Sequence, residues 1–168
     1  MTRPALSLSA LAIAALLAAS GATASPMDQM MDAAHSFGEP GDAKAVTRTV
    51  TITATEIDFD VHALTFKTGD TVKFVLVNKG EQDHELMIAD DATQNAHREM
   101  MAQMPGMNHE EMEKAMGGHA DDDRNSLDTQ PGQTKILIWH FTRPGHYEFA
   151  CNYPGHAELG MIGTITVQ

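Results

Sequence analysis

Cysteine occurs once in this chain, at Cys151, where it ends the alternating run GHYEFAC and opens the segment CNYPGHAELGM. Within that segment Cys151, His156 and Met161 are separated by two gaps of four residues. Pro154 and Gly155 turn the backbone just before His156, and Gly160 turns it just before Met161. A thiolate, an imidazole and a thioether in one loop describe three of the four ligands of a trigonal copper site built from two His, one Cys and a long axial Met. The remaining ligand has to come from elsewhere, so the fold must carry a distant histidine to the end of this strand. His84, which opens the apolar run HELMIA, is the candidate. Taken singly, Cys151 suits a buried small hydrophobe, His156 a surface loop and Met161 a packing role. Their joint spacing favours the metal.

The stretch GHYEFACNYPGHAELGMIGTITV resembles the C-terminal end of plastocyanin-like cupredoxins, in which a G-x-Y-x-F-x-C strand runs into the ligand loop and a last strand. The gap between Cys151 and His156 is similar to the auracyanin and rusticyanin loops rather than to plastocyanin's shorter one. His84 resembles the family's first copper histidine. The resemblance covers roughly residues 46–90 and 131–168. It implies an all-β cupredoxin Greek-key sandwich holding one type 1 copper, a blue copper protein that carries single electrons.

The strand patterns agree. In TRTVTITATEI, Val50, Ile52 and Ala54 alternate with threonines, and in DTVKFVLVNKG, Val72, Phe74 and Leu76 share one face while Lys73, Val75 and Val77 share the other. DHELMIAD, TKILIWHF, GHYEFAC and MIGTITV add further strands, so six or seven strands are expected in an antiparallel sandwich. Asp83 and Glu85 flank His84 and are expected to orient its ring. His62, His140 and His146 read as surface or packing residues, and Tyr147 and Phe149 as core aromatics.

A chain of 168 residues with 42% hydrophobic residues fits one domain. Its net charge of −12 disfavours nucleic acid and anionic membranes as partners and favours a metal ion or a basic patch on a redox or copper-handling protein. Residues 1–24 read as a signal peptide: Arg3, the apolar LSALAIAALLAA, then Ala22-Thr23-Ala24 for cleavage. That run is shorter than the roughly 20 residues a spanning helix needs, so a periplasmic product without a membrane span is expected. Residues 25–45 read as a flexible leader; its Met27, Met30, Met31 and His35 are either tail composition or soft donors for cuprous copper. The domain then runs over 46–168, with an insertion at about 91–130.

The insertion differs from its surroundings. Between Ala92 and Ser126 there is no Leu, Ile, Val, Phe, Tyr or Trp, and Met takes the apolar role. Two helical faces follow from the spacing: His97, Met101 and Met104 up to Pro105-Gly106, then His109, Met112 and Met116 after an Asn108 cap and up to Gly117-Gly118. Both faces suit either ordinary packing on the sandwich or a second, cuprous site. The first function expected is one-electron transfer; the alternative is copper sequestration or delivery contributing to copper tolerance, as in the exported cupredoxin-like proteins with Met/His-rich segments that this chain resembles. No enzyme is expected, because the chain has no His-x-His pair for further copper centres and no second Cys.

Overall fold

The computed structural model describes residues 37–103, 106–107, 111, 114 and 125–168. Among the described residues nine strands form two sheets: β1 (Gly38–Pro40), β2 (Arg48–Ala54), β3 (Ala63–Phe66), β4 (Thr71–Asn78), β5 (His84–Ala89), β6 (Ser126–Thr129), β7 (Thr134–Phe141), β8 (Gly145–Ala150) and β9 (Ile162–Val167). One sheet has the order β1-β7-β4-β2, the other β3-β9-β8-β5-β6. A helix, α1 (Asp91–Gln103), lies against β5 and β8. The proposed signal peptide lies outside the described residues, and no helix among those described is long and apolar enough to cross a membrane.

The expected alternation is realised in β4, whose Phe74 and Leu76 are fully buried while Lys73, Val75 and Val77 are only partly so. Ile52, Trp139 and Phe141 join them from the first sheet, and Leu86, Ile88, Phe149 and Ile165 face them from the second. Tyr147 and Phe149 are core aromatics, as their parity with Cys151 predicts.

The sandwich is not purely antiparallel. β2 pairs in parallel with β4, and β3 in parallel with β9. The chain leaves the first sheet after β2, runs β3 in the second, and returns beside β2 as β4, which fixes the parallel direction. A period of two reports which face is buried and is blind to the partner's direction.

Two boundaries also move. The leader expected to stay flexible through residue 45 instead delivers Phe37 to the core, where it stacks on Tyr147 at 4.6 Å. Burying one such ring contributes about 2 kcal/mol. Gly38–Pro40 then lies antiparallel to β7, with Pro40 on an edge strand where its missing N–H costs little. Likewise the insertion ends early, because Ser126–Thr129 pairs with β5, Leu127 opposite Leu86. Each segment offers one large apolar core residue, Phe37 just before β1 and Leu127 within β6, too little for a pattern.

The helix begins six residues before the first predicted helical face. The Asp90 side chain accepts a hydrogen bond from the Thr93 backbone N–H at 2.8 Å, a cap that starts the helix directly after β5. All six residues of β5 are buried, since the core covers one face and α1 the other. The second predicted helical face lies mostly outside the described residues.

Candidate metal centre

His84 is the first residue of β5 and Cys151 follows the last residue of β8. These strands are antiparallel neighbours, with Met87 opposite Ala150, so the start of one meets the end of the other at a single end of the sandwich. The loop leaving Cys151 returns as β9, and it closes on its own backbone. Cys151 N–H donates to the Met161 carbonyl at 3.1 Å, Met161 N–H to that of His156 at 3.0 Å, and His156 N–H to that of Tyr153 at 3.0 Å. Gly155 and Gly160 hold φ of 92° and 104°, the left-handed conformation that the turns before His156 and Met161 require.

The Cys151 Sγ lies 3.3 Å from His156 Nδ1 and 4.0 Å from His84 Nδ1, and the three donors all fall within 4.8 Å of one another. Donors held about 2.0–2.3 Å from a shared ion in a trigonal plane stand about 3.6 Å apart, so the spacing fits one small metal ion. Cys151, His84 and Met161 are fully buried, while His156 keeps 8% of its surface exposed and is the donor nearest solvent.

Electrostatics keeps these groups ready as ligands. Burial and the neighbouring His156 lower the pKa of His84, and burial lowers that of His156, so both rings are neutral at pH 7 with lone pairs to give. Burial pushes the Cys151 thiol up to about 12, against the opposing hydrogen bond from the Glu85 N–H, which reaches Sγ at 3.4 Å. A metal bound there would have to displace the thiol proton.

Glu85 corrects one expectation. Its carboxylate does not orient the His84 ring; adjacent strand residues point to opposite faces, and Glu85 turns under α1. There Oε1 meets His97 Nε2 at 3.0 Å, and Oε2 accepts from Asn152 N at 3.1 Å and Asn152 Nδ2 at 3.0 Å. Asp128, the cross-strand neighbour of Glu85, accepts from the Tyr153 hydroxyl at 3.1 Å. Sequence reasoning missed Gln94, Asp128, Asn152 and Tyr153, although Asn152 and Tyr153 directly follow Cys151.

Of the six donors predicted for a second copper site, His97 and Met101 are buried against the sandwich. Met104, His109, Met112 and Met116 lie outside the described residues. His62 is exposed beside Asp58, while His140 and His146 share hydrogen bonds with Thr71 and Thr166, away from the donor cluster.

Comparison with known proteins points to a copper-binding family. A family description, "Copper binding proteins, plastocyanin/azurin family", matches residues 46–168. A "Copper-resistant cuproprotein CopI" of Rubrivivax gelatinosus is 35% identical over 82% of this chain and 76% of its own length. A protein of the same name from Pseudomonas aeruginosa is 34% identical over 80% of this chain and 83% of its own. Among solved structures, auracyanin B superposes with a TM-score of 0.61 at 19% identity, covering 79% of this chain and 96% of that one, a likeness of fold.

Proposed function

The chain belongs to the plastocyanin/azurin family of copper-binding proteins, and on that premise we propose that it is an exported, mononuclear type 1 copper protein that contributes to copper tolerance. The observation that carries the proposal is the convergence of Cys151 Sγ, His84 Nδ1 and His156 Nδ1 within 4.8 Å. These three would hold copper as the strong ligands, with Met161 as a fourth, weaker donor. Copper bound there supplies one-electron cycling between its cuprous and cupric states. The residues around it hold a mixed soft and borderline donor set in a closed, buried loop, which limits rearrangement between the two states. Similarity to proteins named for copper resistance favours the tolerance role, and the segment read as a signal peptide favours the periplasm.

Electron transfer is the second reading, favoured by His156 standing at the solvent edge of an otherwise buried donor set. The partner is then a redox protein; in the tolerance role it is another copper-handling protein. In neither role does the chain perform bond chemistry on a substrate. Methionines and histidines beyond α1 would add cuprous sites, so removing residues 104–124 is expected to lower cuprous stoichiometry against a competing chelator and to leave the visible band intact.

The decisive experiment combines the absorption spectrum of the copper-loaded mature protein with growth of a deletion strain on copper. An intense thiolate-to-copper band, lost in Cys151→Ser, is expected, together with copper sensitivity that the wild-type gene rescues and the variant does not. A wild-type protein without that band would refute the type 1 assignment, and a deletion strain as resistant as its parent would refute the tolerance role.

A further inference from the structure

We infer that His97 is a positioning residue for the metal loop, acting through Glu85 to hold Asn152 and thereby the Cys151 backbone. The inference rests on reading His84, Cys151 and His156 as the metal centre, and it reaches beyond that reading to the helix that opens the Met-rich insertion.

Three elements meet at one buried carboxylate. The Glu85 and His97 side chains are 0% and 2% exposed, and their contact is 3.0 Å. The other Glu85 oxygen takes both the backbone and side-chain N–H groups of Asn152, the residue directly after Cys151. The backbone N–H of Glu85 itself points at Cys151 Sγ. One helical turn before His97, Gln94 accepts from Asn152 Nδ2 at 2.9 Å and donates to the Met87 carbonyl at 3.0 Å and the Glu148 carbonyl at 3.3 Å. The helix thus grips β5, β8 and the metal loop together.

The buried carboxylate explains why a hydrogen-bond donor stands here. A buried carboxylate without a partner is costly, and Glu85 lies one residue from His84 and beside the Cys151 sulfur. Burial alone would lower the His97 pKa, but the charge and hydrogen bond of Glu85 outweigh it, aided by Asp128 and opposed by Arg98, and raise it. His97 so balances Glu85 and leaves that carboxylate aimed at Asn152. Without it, the Glu85 carboxylate is held less firmly, and the Asn152 backbone N–H beside Cys151 loses a fixed acceptor, although the Asn152 side chain keeps its bond to Gln94.

The rival account makes His97 an anchor for α1 with no hold on the loop. The two accounts separate in the copper-free, full mature chain by the rate at which iodoacetamide alkylates Cys151, and in the copper-loaded chain by the ratio of the thiolate-to-copper bands. H97L is expected to alkylate about tenfold faster, the scale of one lost charge-assisted buried hydrogen bond, and to change the band ratio. H97Q, which keeps a donor toward Glu85, is expected within about threefold of wild type. F37L, at the opposite end of the sandwich, serves as the control for general destabilisation and is expected to leave both readouts at wild-type values. Should H97L not fold, H97N, polar but too short to reach Glu85, carries the same expectation. Wild-type alkylation and band ratio in these variants, or changes matched by F37L at equal loss of melting temperature, would overturn the inference. A wild-type protein lacking the band would count against the copper centre alone, because alkylation still reports the hold of His97 on the loop.

Discussion

His84 and Glu85 are neighbours on one strand, yet they inhabit opposite kinds of environment. On the His84 side, two imidazoles and a thiol converge uncharged, their pKa values shifted by burial away from the charged forms. On the Glu85 side, a carboxylate and an imidazole pair with each other, and amides fill the carboxylate's other oxygen. The first face keeps its donors available, and the second spends them on its own structure. Burial by itself therefore does not predict what a polar cluster is for. What matters is whether the partners inside the cluster satisfy one another or leave room for an ion.

The contrast can be broken most directly by removing one histidine from each face. His84→Ala is expected to abolish the type 1 spectrum while leaving the copper-free protein within about 1.5 kcal/mol of wild type by urea denaturation, because it deletes a ligand and no internal charge. An unchanged spectrum would remove His84 from the ligand set. His97→Leu should do the reverse in the copper-free chain, costing about 3 kcal/mol because it removes the imidazole paired with the buried Glu85 carboxylate. Equal losses in the two variants would erase the distinction between the faces.

The pH dependence sharpens the same comparison. Burial and the charge of Glu85 push the Asp128 carboxyl up to about 7, so the folded state binds a proton that the unfolded state releases near 3.8. The associated stability is fully present below pH 3.8 and is lost as pH rises toward 7. His97, also raised, adds a loss of the same sign that is complete only above its elevated pKa. Asp128→Asn should flatten the difference between unfolding free energies at pH 5 and pH 8 by about 2 kcal/mol relative to wild type. A parallel pair of profiles would show that Asp128 does not titrate on folding. The smallest effect belongs to Met161→Leu, which is expected to keep copper and raise the reduction potential by about 60 mV, a tenfold shift for one electron. Loss of copper in that variant would make Met161 a strong ligand instead of a tuning one.

Much of this architecture could be read along the chain wherever a segment carried its own repeat. β4 alternates over eight residues, and its inward set is the one expected. β1 and β6 carry only three and four residues, so Phe37 and Leu127 became core only once other strands were there to receive them. The parallel pairing of β2 with β4 was invisible for a related reason, since side-chain parity is the same for either direction.

Within the centre, the sequence alone determined what is covalently local: the donor types Cys151, His156 and Met161, their spacing, and the glycines that let the loop turn. Resemblance to the first copper histidine of cupredoxins, at the opening of an apolar strand, marked His84 as the partner. Tertiary structure alone decided that Glu85 faces His97, that Gln94 and Asn152 share a bond, and that Asp128 stands beside Glu85. The reason is physical. Donor spacing is a property of a few consecutive residues, whereas the protonation and partners of a buried group depend on every element packed around it, and here those elements come from positions 85, 94, 97, 128 and 152.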